Sequence, residues 1–205
     1  MKENNKIGFS TMDDSIRIDT INKDEYHEYQ KIIFDSVSPM MQKLIKKNPG
    51  FERELFDDLL KEESFYCTIR ERKTLKFCGY CGIKDTRKSK PELAIELLKE
   101  VQHKGIGTQA MKLLLQAYMP QDNFEYYRYV VAADNYPSQR LCEKLGGVPN
   151  GIVAPILKDP KLQEIFEEKN LDLIDEKMIT LADEFKVEPR KLLSHFLEYK
   201  ICRES

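Results

Sequence analysis

The segment between residues 92 and 118 constrains the fold most. Residues 92–99 read as a strand, the turn Gln102-His103-Lys104-Gly105-Ile106-Gly107-Thr108 follows, and apolar residues then recur at helical spacing as Met111, Leu114, Leu115 and Tyr118 before Pro120. A strand that enters a glycine-interrupted turn and opens a helix points several backbone amides at one place. The first amides of a helix have no internal partner and the helix dipole adds partial positive charge, so each group favours an anion by about 0.3–2 kcal/mol. Gly105 and Gly107 lack a β-carbon and let a bulky anion such as a pyrophosphate reach the backbone, while Lys104 adds charge at the rim.

The flanking sequence supplies the rest of an α/β chain. Residues 15–21 alternate polar and apolar in the period of a half-buried strand, and Asn22 caps a helix over 23–38 that Pro39 follows. Asn48-Pro49-Gly50 breaks the chain before a second helix at 51–62. Residues 64–70 and 75–83 form a hairpin around Glu71-Arg72-Lys73-Thr74, and a polar loop, 85–91, leads to the strand at 92–99. A strand at 126–133 ends on Asp134-Asn135, and a helix over 137–145 closes on Gly146-Gly147. Beyond it come a short strand at 151–154, helical periodicity over 160–169 and 171–186, and a closing strand within 194–202. Residues 155–193 therefore read as a helical insertion between the last two strands.

A length of 205 residues suits one domain with an insertion, and 41% hydrophobic with 33% charged residues suits a folded chain. A net charge of -2 does not supply the one-signed surface that nonspecific nucleic-acid binding needs, so no nucleic acid is expected. No run approaches the roughly 18 apolar residues of a membrane span, and Met1-Lys2-Glu3-Asn4-Asn5-Lys6 lacks the apolar core of a secretion signal; the expectation is a cytoplasmic protein without membrane association. Cys67, Cys78, Cys81, Cys142 and Cys202 are odd in number and read as reduced thiols. Cys78-Gly79-Tyr80-Cys81 has redox spacing but lies in a strand, and no second Cys or His pair completes a zinc site, so no metal is expected.

Nucleotide fingerprints fit the turn poorly: Ala110 stands where a dinucleotide fold needs its third glycine, and no Gly-Lys-Ser/Thr occurs. Gln102-His103-Lys104-Gly105-Ile106-Gly107 instead resembles the Gln/Arg-x-x-Gly-x-Gly/Ala signature of the GNAT superfamily of acyl-CoA-dependent N-acyltransferases. The run from Asp134 to Gly147 is similar to that family's second landmark, an Asn at a strand end followed by a helix. The resemblance covers residues 15–152 and 194–201. It implies a single GNAT-like domain with a mixed, mostly antiparallel twisted sheet flanked by helices and carrying the C-terminal helical insertion.

By that resemblance, acetyl-CoA is the co-substrate. The backbone at Ile95, Leu97 and Leu98 would pair with its pantetheine arm, and Gln102, His103, Lys104, Gly105, Ile106, Gly107 and Thr108 would cradle the pyrophosphate. Asn135 and Ser138 would touch the arm, although both positions suit helix capping equally. The reaction implied is direct attack of a primary amine on the thioester, which needs a proton acceptor and help for the leaving thiolate. Glu96 is the candidate base, with Glu92 behind it on the same strand face. Where many members carry a tyrosine acid this chain has Cys142, a departure that a packing role explains more simply; Tyr118 and Tyr136 are the other hydroxyls considered. His27 and His195 read as structural and His103 as solvent-facing. The acceptor side falls at 34–62 and 150–195, where Asp57-Asp58 and Glu167-Glu168 read as solvated helix faces. The amine stays open, as does the choice between monomer and homodimer, and the alternative is a noncatalytic acyl-CoA-binding module.

Overall fold

The computed structural model describes residues 10–48, 50–120 and 122–202. Pro49, read as part of a breaker, and the first six residues, read for a secretion signal, lie outside them. The chain divides into two compact units, Met1–Phe124 and Glu125–Ser205.

In the first unit, five strands pair antiparallel in chain order: β1 (Ser10–Met12), β2 (Ile16–Thr20), β3 (Phe65–Glu71), β4 (Phe77–Lys84) and β5 (Glu92–Leu97). Its helices are α1 (Tyr26–Ser36), α2 (Pro39–Lys47), α3 (Phe51–Leu59) and α4 (Ile106–Ala117). Ile16 and Ile18 point inward from β2, as the two-residue period requires. The chain then turns at a capping box, in which Asn22 accepts from the Asp24 amide and Glu25 accepts from the Asn22 amide.

Buried Tyr29 on α1 organises one side of this sheet. Its ring meets Phe56 of α3 at 5.0 Å and Phe77 of β4 at 4.9 Å, and its hydroxyl lies 2.7 Å from Thr68 Oγ1 on β3. Tyr118, at the end of α4, packs its ring 5.1 Å from Phe65. Thr68 and Phe65 are three residues apart on one strand and face opposite ways, so α1 and α4 cover opposite faces. Register pairs Thr68 with Tyr80 and Tyr80 with Glu96, placing Glu96 on the α1 face.

In the second unit β8 (Phe196–Ile201) lies between β6 (Tyr127–Ala132) and β7 (Val148–Val153), antiparallel to both. Its helices are α5 (Tyr136–Lys144), α6 (Pro160–Lys169) and α7 (Glu176–Phe185). Tyr127, Tyr129 and Val131 alternate inward along β6, and Phe185 of α7 meets Tyr199 of β8 edge-on at 5.0 Å. Between β7 and β8 the chain runs through α6, a 3-10 turn at Leu171–Leu173, α7 and a second such turn at Pro189–Leu193.

Several local expectations change. Pro39 starts a helix where the sequence suggested only an end: it occupies the first turn of α2, where its missing amide costs nothing, and Ser38 caps that turn through the Met41 amide. The single periodicity over 171–186 is cut in two because Asp175 caps α7 anew through the Met178 amide. The strand expected at 151–154 is the longer β7, whose register shifts between Pro149 and Ile152 around Gly151 at φ 91°. The short strand β1 has no alternating apolar pattern to announce it.

Glu167 is a larger correction. It is fully buried instead of lying on a solvated face, and its carboxylate accepts from Lys191 Nζ at 2.9 Å, Ser194 Oγ at 2.5 Å and Gln163 Nε2 at 3.0 Å. Asp57 and Asp58 are exposed, ion-paired with Arg53 and Lys61 respectively.

Candidate functional site

The entrance to α4 is built by hydrogen bonds that leave its own amides outward. After β5, Leu98 N donates to Cys78 O at 3.0 Å, a 3-10 turn spans Lys99–Val101, and the Gln102 side-chain amide reaches back to Leu97 O at 2.9 Å. Through that last bond Gln102 pins the turn to the strand it leaves. His103 then adopts φ 61° and Gly105 φ 82°, the left-handed region in which glycine is unstrained. Gly105 is the N-cap of α4, and its carbonyl accepts the first helical bond, from Gln109 N at 3.1 Å.

No side chain caps this helix and no acidic residue lies in its first turn. The amides of Ile106, Gly107 and Thr108 therefore precede the helical ladder, with the positive end of a twelve-residue helix behind them. A β-carbon added at Gly105 would meet nothing within 4 Å, so the space over the cap is open. His103 and Lys104 are exposed beside it, whereas Gly107 is buried against the body of the unit.

Glu96 lies at the end of β5, in a pocket it shares with Ile32 and Asp35 of α1, Leu98 and Gln102. Burial raises its carboxyl above the ordinary 4.5. Its cross-strand neighbour Tyr80 is half-buried, and desolvation together with the Glu96 charge raises the phenol's pKa. Ile95 and Leu97 are half-buried and Leu98 is buried. Glu92 is tied to Lys84 Nζ at 3.0 Å, which leaves Glu96 the better placed of the two carboxylates. Sequence reasoning misses Asp35 because nothing local marks it: it joins the pocket only once α1 is laid across the sheet.

In the second unit Asn135 caps α5, its Oδ1 accepting from Ser138 N at 3.2 Å. Asn135 is exposed and Ser138 half-buried, so the cap commits the Asn oxygen and leaves its amide group on the surface. Cys142 is fully buried, and a β-carbon at Gly147 would fall 2.3 Å from its sulfur. Burial, with a smaller contribution from the Glu143 charge, pushes this thiol up to about 12. Its geometry is that of a packing residue whose companion must be glycine.

The other hydroxyls and imidazoles have local partners. The Tyr136 ring carries Lys177 Nζ at 5.5 Å, and buried Tyr118 is hydrogen-bonded to Thr86. His27 packs on Tyr26 at 5.5 Å, while His195 Nδ1 lies 2.8 Å from Ser194 Oγ and 3.2 Å from Lys191 O. Cys78 and Cys81 both lie on β4, and all five cysteines are free. No helix of the described residues is long and apolar enough to cross a membrane.

The description "Acetyltransferase (GNAT) domain" fits residues 17–148, more than half of the chain, and no curated protein sequence matches it significantly. Solved structures share its fold at low identity. The ribosomal-protein alpha-N-acetyltransferase RimL is 9% identical with a TM-score of 0.57, over 95% of this chain and 98% of the other. A spermidine N-acetyltransferase SpeG chimera from Vibrio cholerae is 12% identical with a TM-score of 0.59, over 92% and 95%. The microcin self-immunity acetyltransferase MccE, solved with acetyl-CoA and AMP, is 16% identical with a TM-score of 0.57, over 92% of both chains. With the family model spanning the glycine turn before α4 and the α5 landmark together, the chain belongs to the GNAT acetyltransferase family.

Proposed function

We propose that this protein is an N-acetyltransferase that carries the acetyl group of acetyl-CoA to a primary amine by direct attack. The observation that supports it most is the open, uncapped start of α4, where Gly105 at φ 82° presents the amides of Ile106 to Thr108 to an anion. The pyrophosphate of the cofactor is the ligand for this turn, with Lys104 and His103 at its rim. Asn135 and Ser138 contribute to holding the arm, and the two compact units serve one acyltransferase domain, since the family model runs across their boundary.

Glu96 is the proton acceptor in this reading. A carboxylate whose pKa is raised by burial is a stronger base than an exposed one, and Glu96 lines a small pocket with Ile32, Asp35, Leu98 and Gln102. The amine nitrogen bonds to the thioester carbon, the carbon–sulfur bond breaks, the amine proton passes to Glu96 directly or through a water, and coenzyme A departs as the thiolate. Buried Cys142 takes no part. Structures of the same fold are named for different acceptors, a ribosomal protein and spermidine, so the acceptor's identity is left to a screen.

The buried thiol in place of the family's tyrosine favours a second reading, a noncatalytic acyl-CoA-binding module. Calorimetric titration with acetyl-CoA, repeated on Gly105→Glu/Gly107→Glu, tests the site; saturable binding lost in the variant is expected, and no binding to the folded wild type would overturn both readings. Thioester consumption against a broad amine panel then separates them. Turnover that Glu96→Gln abolishes supports the enzyme, and binding without turnover supports the module.

A further inference from the structure

Helix α6 is packed inside out. At 3.6 residues per turn Leu162, Ile165, Phe166 and the stem of Lys169 fall on one side, while Gln163 and Glu167 fall on the other. The side chain of α6 that is buried is the carboxylate Glu167, held by Lys191 and Ser194, and the apolar stripe faces out, with Leu162 56% and Ile165 46% exposed. Leu171 and Leu173, in the 3-10 turn just past the helix end, are 49% and 59% exposed. An amphipathic helix anchored by its polar side has its apolar side available for another surface.

We propose that a second copy of this chain covers the stripe, α6 packing antiparallel against α6 of its partner about a two-fold axis. The charge pattern selects this occupant. Lys161 and Glu168 are exposed, one heptad apart, and lie on the same flank of the stripe. A single-signed flank would call for an oppositely charged partner. Two opposite signs at this spacing complement themselves when the helix is reversed, so each copy's Lys161 meets the other copy's Glu168 and the pair occurs twice, as an isologous contact requires. The α6 stripe, together with the exposed Leu171 and Leu173 after it, amounts to on the order of 400–500 Å² per chain, within the range of the largest patch on a monomer. With its charged flanks, a contact centred on it removes roughly 1,200 Å² in total, the lower end for a specific stable pair. A net charge of only -2 opposes association weakly.

Sedimentation equilibrium over a dilution series of the full chain tests this without any assumption about acetyl transfer. The wild type is expected to pass from dimer to monomer on dilution. Lys161→Glu and Glu168→Lys each bring like charges together and weaken the dimer about tenfold, equivalent to about 1.4 kcal/mol, whereas the doubly reversed variant regains wild-type association. Ile165→Asp places a charge in the stripe and gives monomer. All four variants change exposed side chains, and circular dichroism confirms that each is folded. A wild type that is monomeric at every concentration overturns the proposal, and so does a dimer that Ile165→Asp or either single reversal leaves unchanged.

Discussion

Gly105 combines a positive φ with open space, so its two kinds of substitution separate cleanly. Gly105→Ala meets no atom within 4 Å, and its cost is the left-handed backbone alone, about 1 kcal/mol, read as a lower urea midpoint. Gly105→Glu adds a negative charge beside the amides proposed to hold the cofactor phosphates, and calorimetry should show loss of acetyl-CoA binding beyond anything the Ala variant loses. Glu96 makes a second prediction through pH. Its pKa is raised in the folded chain, so its contribution to stability is full below the ordinary 4.5 and is lost as pH rises through the raised value. Glu96→Gln should therefore melt higher than wild type at neutral pH and no higher at pH 4. If Glu96 is the base, the same variant loses the acid limb of the rate profile, since wild-type rate climbs with pH as the carboxylate deprotonates. The turn was legible in the sequence because a glycine at positive φ and an uncapped helix start are local facts. The packing of Cys142 was the simpler sequence reading, but its partner was not legible, because Gly147 meets it only by folding back onto the same helix, and the Asp35 contribution depends on how α1 crosses the sheet.

At the scale of elements, α6 is anchored through one carboxylate. Burial pushes the Glu167 pKa up, but hydrogen bonds from Ser194, Lys191 and Gln163 and the Lys191 charge outweigh it and leave the pKa lowered. The stabilisation is therefore present above the ordinary carboxylate range and is lost as pH falls through the lowered value. Glu167→Ala takes from buried Ser194 its shortest hydrogen bond, leaving His195 Nδ1 as its partner, and leaves Lys191, partly exposed, without its counter-ion; the expected loss is about 2–3 kcal/mol, below the 3–5 of a fully buried broken pair because Lys191 can turn to water. Urea unfolding at pH 7 measures it, and the gap to wild type should narrow as pH falls below 4. A difference under 0.5 kcal/mol at pH 7 would show that α6 is held by other contacts. The sequence announced α6 by its periodicity but hid the sense of its packing, since periodicity identifies an apolar stripe and not the direction it faces. Pro39 is ambiguous for a related reason: proline ends one helix and opens another with the same residue, and only Ser38 capping the next turn decides between them.

For the whole molecule, the cofactor provides a test of how far the two compact units respond together. The turn before α4, proposed for the phosphates, lies in Met1–Phe124, while Asn135 and Ser138 belong to Glu125–Ser205. A ligand that binds only the native state stabilises it by RT ln(1 + [L]/Kd), about 2.7 kcal/mol at a hundredfold excess over Kd. For a chain of this size that corresponds to a rise in Tm of about 5–10 °C. If cofactor contacts reach both units, saturating acetyl-CoA should move the entire calorimetric transition upward as one peak, and Asn135→Ala should reduce the shift while Gly105→Glu removes it. If the contacts are confined to the turn, the ligand should draw out a separate upper transition for the first unit and leave the remainder where it was, and Asn135→Ala should change nothing. Coenzyme A without the acetyl group should reproduce most of the shift in either case, because the pyrophosphate and arm are common to both molecules. An acetyl-CoA shift that coenzyme A fails to reproduce would place the binding energy at the acyl end and count against the α4 turn as the principal site.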